Sequence, residues 1–136
     1  MYDAARLAGL PVDEDWEFKI WFLDDEAMAQ AHVDIMDVPG TTDVITMAYL
    51  EESEALFPGD MGLELLICVP FAEREGSERE DSSFADEMVL YMVHGCLHAA
   101  GEDDLTDEAR PSMRRREAEV MSELRKKYVF SEIFPS

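Results

Sequence analysis

The sequence predicts an α+β fold, in which a small mixed β-sheet is packed with helices. The length of 136 residues suits one domain with a single core, so we assign residues 1–136 to one domain. Hydrophobic residues make up 47% of the chain and aromatic residues 10%, which excludes a disordered protein. Hydrophobic periodicity then predicts the order strand, helix, strand, strand, helix, helix.

The first predicted strand covers residues 16–23, where apolar and polar residues alternate. One face of this strand would carry three apolar side chains, those of Phe18, Ile20 and Phe22. Asp24 is a suitable N-cap for a helix that runs to about Met36 and ends at residues 39–40, a Pro-Gly pair. The spacing of its apolar residues predicts a core face formed by Ala27, Ala31 and Ile35.

Two further strands are predicted at residues 43–49 and 63–69, with a Pro-Gly turn at 58–59 between them. The later strand is nearly all apolar, which is typical of the centre of a sheet. Residues 71–85 are polar and acidic, and predict one helical turn followed by a mobile loop after Gly76.

Two helices complete the prediction. The first runs from about Asp86 to Ala100, with a core face of Val89, Val93, Cys96 and Ala100. A second stripe of the same helix carries Glu87, Tyr91, His94 and His98. The last helix has Pro111 in its first turns, where proline is tolerated, and an apolar face of Met113, Ala118, Met121 and Leu124.

The net charge of −21 argues against nucleic acid as a partner on global electrostatics. The distribution of charge weakens this argument, because seven of the 11 basic residues lie close together near the end of the chain. They are Arg110, Arg114, Arg115, Arg116, Arg125, Lys126 and Lys127. This cluster is either the solvated face of an ordinary helix or a surface for nucleic-acid backbone.

The remaining composition predicts a cytoplasmic protein that does not interact with membranes. Cys68 and Cys96 lie in apolar surroundings without a CxxC pattern, as expected for reduced core cysteines. The N-terminal residues do not show the charged-then-apolar pattern of a signal peptide, so none is predicted. The apolar runs are all much shorter than the roughly 20 residues of a membrane span.

The most informative segment is HGCLHAAGEDD, residues 94–104. His94 and His98 differ by about 40° around a helix axis, so both imidazoles would leave the same face. Gly101 can adopt the left-handed conformation that ends a helix, which would turn the chain back and bring Asp104 over the two rings. Three such ligands with room for a water are typical of a catalytic zinc site.

Other interpretations of this segment stay open. Histidines at helical spacing also occur by chance, and an acidic run after a helix is often a solvated loop. A zinc metalloprotease-like hydrolase is a further alternative, but Gly95 stands where HExxH enzymes carry their general-base glutamate.

Several segments together resemble the YbeY family, bacterial metal-dependent endoribonucleases of ribosomal RNA maturation. The family signature HGxLHxxGxDH is similar to residues 94–104, and its TDVLSFP stretch is similar to residues 42–49. A strand followed by DDE, an AERE-like segment and a tail of the form EAxxMRxxEExIL match at residues 22–26, 66–75 and 108–121. The resemblance covers almost the whole chain.

The chain departs from the family pattern at three positions. Asp104 stands in place of the third histidine ligand, which keeps a ligand but lowers the net charge of the site by one. Asp103, which matches the family's own aspartate, is the competing third ligand. Glu102 replaces the usual tyrosine, and Met36 replaces an arginine implicated in activity, whose bidentate grip on phosphate no other side chain reproduces.

The resemblance implies a single-strand endoribonuclease that processes the 3′ end of small-subunit ribosomal RNA and takes part in ribosome quality control. The implied metal is one Zn²⁺, or another divalent transition metal, on His94, His98 and Asp104. A catalytic base is not identified, although Asp103 or Glu102 could accept a proton. The implied partners are ribosomal RNA and the ribosome, with its ribosomal or assembly proteins. The alternative is a catalytically weakened or inactive RNA-binding protein on the ribosome.

Overall fold

A computed structural model describes residues 1–10, 12, 16–49, 62–102 and 105–135 of the chain. Three strands and six helices are seen in these ranges. In chain order they are α1 (Tyr2–Leu7), β1 (Glu17–Leu23), α2 (Asp25–Met36), β2 (Val44–Tyr49), β3 (Gly62–Cys68), α3 (Val69–Glu78), α4 (Phe84–Ala99), α5 (Ala109–Arg125) and α6 (Phe130–Ile133). The predicted Pro-Gly turn at 58–59 lies outside the described residues.

The three strands form a mixed sheet in the order β1-β3-β2. β1 runs parallel to β3 with Ile20 opposite Leu65, and β2 runs antiparallel to β3 with Ile45 opposite Leu66. The prediction that the apolar strand is central is confirmed, because β3 lies between the other two. The predicted α+β fold with a small mixed sheet is confirmed as well.

Helices cover both faces of the sheet. On one face, Met28 of α2 packs with Ile45 and Cys68. On the other face, α4 lies against β2 and β3, and its remaining sides contact α1, α3, α5 and α6. Because α4 is surrounded in this way, its position and orientation are set by the core. A side chain on α4 is therefore held more firmly than one on a surface helix.

Gly95 sets how closely α4 approaches the sheet. A Cβ atom at this position would lie 2.6 Å from Leu65 Cδ2 and 2.9 Å from Thr46 Oγ1. Leu65 is completely buried in the central strand, so it has little room to move away. Glycine is therefore required here by packing, and a glutamate of the HExxH kind has no space.

Two predictions about helices are wrong in part. Of the predicted core face of α2, Ala31 packs against the cluster of Met28, Ile45 and Cys68, whereas Ala27 and Ile35 are exposed. The fully buried residue of this helix is Met28. Of the predicted loop after Gly76, residues 77–78 belong to α3, which ends at Glu78, and residues 79–83 are non-helical. Gly76 lets the backbone of Ser83 approach within 2.5 Å of where a Cβ would be.

Smaller differences concern helix ends and short helices. The faces of α4 and α5 match the prediction except at Ala100 and Ala118, which are exposed. The left-handed residue Asp37, and not the Pro-Gly pair, ends α2, with its N–H bonded to the carbonyl of Val33. The short helices α1 and α6 are absent from the prediction, because each is too short to show a periodic pattern.

Both cysteines are buried and free. Burial raises the pKa of the Cys96 thiol to about 12 and also raises the pKa of Cys68. Neither thiol is therefore a reactive nucleophile at neutral pH. Among the described helices, none combines the length and the apolar composition that crossing a membrane requires.

Candidate metal centre

His94 and His98 lie together at the C-terminal end of α4. Their ring centroids are 5.4 Å apart and the two ring planes are inclined by 79°. The predicted arrangement of two imidazoles on one helix face is thus present in the structure. His94 is about one-fifth exposed and His98 is exposed, so the pair lies at the surface end of a buried helix.

The Nδ1 atom of each ring contacts an oxygen that can only accept a hydrogen bond. His94 Nδ1 lies 2.7 Å from a carboxylate oxygen of Glu117, and His98 Nδ1 lies 3.0 Å from the backbone carbonyl oxygen of Glu102. Each neutral ring must therefore carry its proton on Nδ1 and its lone pair on Nε2. Metal-ligating histidines in proteins are oriented by contacts of this kind.

The turn after α4 brings the chain back over the histidines. Gly101 has a φ of +104°, and the N–H of Glu102 donates to the carbonyl of Leu97. This is the left-handed helix end that the sequence predicts, and it places the Glu102 carbonyl against His98. The Glu102 carboxylate accepts a 3.4 Å hydrogen bond from the hydroxyl of Ser112 in α5.

The next two residues, Asp103 and Asp104, lie outside the described part of the chain. Within the described ranges no group of three His, Cys, Asp or Glu side chains is placed to hold a metal ion. The third-ligand position therefore stays a prediction. The two histidines themselves fit a transition metal, because their tautomer, their separation and their orienting contacts suit imidazole ligation.

A pocket of about 300 Å³ adjoins His94 on the side facing α3 and α5. Its buried lining includes Glu87, Tyr91 and Met113, and its exposed lining includes three arginines, Arg79, Arg110 and Arg114. Burial raises the pKa of the Tyr91 hydroxyl above its ordinary value, and the carboxylates of Glu87 and Asp43 raise it further. Tyr91 is therefore neutral under physiological conditions.

The predicted basic cluster is divided between two sides of α5. Arg114 lines the pocket beside His94. Arg116 instead donates to the carboxylate of Glu119 and to the carbonyl of Leu7 in α1, so it joins α5 to α1. Residues two apart on a helix point about 200° apart, which explains the division. The cluster is not one continuous patch.

The position of the family arginine offers no cation here. Met36 is the last residue of α2 and its side chain is mostly exposed. Arg74 lies at the other end of α2, where it forms two 2.8 Å hydrogen bonds with Asp25 and so links α3 to α2. These bonds hold the pKa of the Asp25 carboxyl below its ordinary value.

Sequence reasoning missed two features of the site. Glu117 is 23 residues from His94 in the chain, and only the packing of α4 against α5 brings them together. Arg79 lies in a segment taken as loop, yet it reaches the pocket. The glutamate within the tail resemblance was the one available signal for Glu117.

Comparisons with known proteins agree on the family. A family model described as Endoribonuclease YbeY matches residues 4–125. The Endoribonuclease YbeY of Chlamydia abortus is 37% identical over 111 residues, which are 80% of this chain and 70% of that protein. The Chlamydia pneumoniae protein of the same name is 31% identical over 115 residues, 82% of this chain and 72% of that protein.

A solved structure has the same fold. The solution structure of TM1509 from Thermotoga maritima matches with a TM-score of 0.56 at 19% identity, covering 92% of this chain and 78% of that one. At this identity the likeness concerns the fold alone. The family model and the chlamydial relatives show that the chain belongs to the YbeY endoribonuclease family.

Proposed function

We propose that this chain is a metal-dependent single-strand endoribonuclease that acts in ribosomal RNA maturation, at the 3′ end of small-subunit RNA. The observation that carries the metal dependence is the pair His94 and His98, each with Nδ1 bonded to an oxygen acceptor and the lone pair on Nε2. Membership of an endoribonuclease family supports the reaction class. Ribosomal RNA and the ribosome are its proposed partners, and the cytoplasm is its proposed location.

His94 and His98, with Asp104 as the proposed third ligand, would hold Zn²⁺ or a similar divalent ion. When bound, the ion would supply Lewis-acid stabilisation of charge on the reacting phosphate. The chain itself supplies orientation. Glu117 holds the His94 ring, the Glu102 carbonyl holds the His98 ring, and Arg114 lies where it can pair with a backbone phosphate.

A proton acceptor for the attacking water is proposed among two acidic residues. The Glu102 carboxylate is fixed beside the helix end by Ser112, and it is only partly buried. Asp103 is the alternative. Both residues follow His98 closely in the chain, and separate amide substitutions, Glu102→Gln and Asp103→Asn, distinguish them. The substitution that removes the true proton acceptor should lower kcat by about 10²- to 10⁴-fold.

Metal content and RNA cleavage together test the proposal. The protein purified without chelator should contain about one equivalent of zinc or another transition metal per chain, by elemental analysis, as expected for a single site. His94→Ala and Asp104→Ala should lose most of it, and cleavage of single-stranded RNA should disappear with His94→Ala. A wild type that neither contains metal nor takes up added metal would contradict the proposal.

Met36 favours a second candidate, a weakened or inactive RNA-binding protein on the ribosome. Without the arginine fork at this position, phosphate is held by fewer charged hydrogen bonds. In that case the wild type would bind RNA and metal but would not cleave RNA. A zinc metalloprotease is disfavoured, because Gly95 stands where HExxH enzymes carry their general-base glutamate. Leu65 and Thr46 also leave no space for a glutamate at this position.

We expect Arg114→Ala to weaken RNA binding more than any other single change in the basic cluster. Arg114 lines the pocket beside His94, and no described carboxylate forms a salt bridge with it. Loss of one phosphate contact should lower the slope of log K against log salt by about 0.7 for a single strand. Fluorescence anisotropy with a labelled single-stranded RNA at several salt concentrations would measure this.

Lys126→Ala is the matched control, since it removes the same charge from an exposed lysine that pairs with Glu123. If the Arg114 and Lys126 variants have equal salt slopes, binding does not depend on the pocket. If the triple change of Arg114, Arg115 and Arg116 to Ala leaves binding unchanged at all salt concentrations, α5 is not the RNA-binding surface.

A further inference from the structure

The pocket beside His94 contains groups that metal binding does not use. Its volume of about 300 Å³ is at the lower end of the range for ligand sites, and suits one small planar group. His94 is part of its wall, so a ligand in the pocket lies next to the candidate metal centre. An inference about its occupant therefore rests on the proposed nuclease function.

Tyr91 is the least expected residue of the pocket. Only 3% of its surface is exposed, and its hydroxyl, which lies beside the Glu87 carboxylate, forms no hydrogen bond of normal geometry in the described structure. Buried polar atoms are nearly always hydrogen-bonded, and an exception calls for a specific explanation. The ring itself is well placed, since it meets Phe71 edge to face at a centroid distance of 6.4 Å. The Tyr91 ring is thus held rigidly, while its hydroxyl is left without a well-formed hydrogen bond.

The buried charges of the pocket disfavour a phosphate. Glu87 is 2% exposed and accepts a 2.9 Å hydrogen bond from the hydroxyl of Ser82. Its carboxylate lies 3.6 Å from Arg79, which also pairs with Glu75 at 3.1 Å. A phosphate in this part would meet buried negative charge. A neutral planar group with N–H donors would instead find carboxylate oxygens as acceptors.

The exposed side of the pocket has the opposite character. Arg110 and Arg114 of α5 line this side of the pocket, together with His94 of α4. A strand of RNA has this same division, because its bases are neutral and planar while its backbone is charged. A base in the buried part would leave its own phosphate near the arginines.

We infer that this pocket receives one unpaired nucleobase of the RNA strand, next to the phosphate held at the metal centre. The base packs against Phe71, whose ring is supported edge to face by Tyr91, and its N–H and acceptor groups are directed to the Tyr91 hydroxyl and the Glu87 carboxylate. A paired base cannot enter, because its hydrogen-bonding edge is occupied by its partner strand. The pocket therefore contributes selectivity for single strands and for base identity.

Tyr91→Phe tests this inference with little change in shape. Because the hydroxyl forms no hydrogen bond of normal geometry in the free protein, the melting temperature should change little. The affinity for a nucleoside 5′-monophosphate should fall about 2- to 10-fold, the value of one hydrogen bond. Tyr128→Phe is the control, since it removes an exposed hydroxyl that donates to Asp3.

The probes are the four ribonucleoside 5′-monophosphates, ribose 5-phosphate and inorganic phosphate, titrated by NMR. The wild type should bind at least one monophosphate more tightly than ribose 5-phosphate, and Tyr91→Phe should reduce that difference. Equal binding of all probes, or an unchanged difference in the variant, would overturn the inference.

Cleavage assays separate this inference from the proposed function. If the wild type cleaves RNA and Tyr91→Phe has the same KM and base preference, the pocket inference fails and the nuclease function stands. If base-selective binding depends on Tyr91 but no RNA is cleaved, the nuclease function fails and the pocket stands.

Discussion

Gly95→Glu should unfold the protein, although it completes an HExxH sequence between His94 and His98. A Cβ at this position meets Leu65 Cδ2 at 2.6 Å and Thr46 Oγ1 at 2.9 Å, inside the contact between α4 and the sheet. Overpacking by one methyl group costs about 1–3 kcal/mol. A glutamate adds the cost of burying a carboxylate without a partner, which is several kcal/mol more.

Gly95→Ala gives the graded form of the same test. At about 3–6 °C per kcal/mol for a protein of this size, its melting temperature should fall by about 5–15 °C. Thermal unfolding followed by circular dichroism measures both variants. Ala118→Glu is the matched control, because it places the same charge on an exposed helix position and should shift the melting temperature by about 2 °C or less.

A Gly95→Glu variant that melts like the wild type would contradict the close contact between α4 and β3. A folded variant that also digests casein would reopen the metalloprotease alternative. We expect the Gly95→Glu variant to be unfolded and inactive against casein, because core side chains fill the space around Gly95.

Glu117→Ala should lower the affinity for zinc by about 10- to 100-fold, the usual effect of losing the group that orients a histidine ligand. The carboxylate of Glu117 lies 2.7 Å from His94 Nδ1 and is 17% exposed, so water replaces it poorly. Without it, the His94 ring can rotate or change tautomer, and its Nε2 is no longer held for ligation.

Glu117→Gln separates orientation from charge. The amide oxygen can still accept the hydrogen bond from Nδ1, so this variant should bind zinc more tightly than Glu117→Ala but less tightly than the wild type. Competition against a chromophoric chelator measures the affinity, and the visible spectrum of the Co²⁺-loaded protein reports the ligand geometry.

Glu119→Ala is the control for this pair, since Glu119 is an exposed residue of the same helix that pairs with Arg116. It should bind zinc like the wild type. Equal zinc affinities for Glu117→Ala and Glu119→Ala would show that Glu117 does not support the metal centre.

The parts of the fold that sequence could predict are those with a local signal. β1 and β3 carry clear apolar patterns, and their bounds agree with the prediction to within a residue. Asp24 caps α2 as expected, accepting a 2.8 Å hydrogen bond from the N–H of Ala27. The left-handed Gly101 also follows from local chemistry, because glycine adopts a positive φ without steric cost.

The core face of α2 was not predictable in this way. Several faces of that helix carry apolar residues, and the sheet selects the one with Met28. The continuation of α3 through Gly76 has a similar cause. Glycine is unfavourable in an isolated helix by about 1 kcal/mol, but here it permits the close approach of the Ser83 backbone. Both outcomes depend on a neighbouring element.

The candidate site likewise contains some features that local sequence predicts and others that depend on tertiary packing. The pairing of His94 and His98 on one face and the turn at Gly101 follow from the helix period and from glycine's conformational freedom, both properties of residues near in sequence. Tyr91 shares the helix face of His94, as the spacing predicts, whereas Glu117 and Arg114 enter the site through the packing of α4 against α5. Spacing along the chain contains no information about such contacts, since the angle and distance between two helices are set by the side chains packed between them.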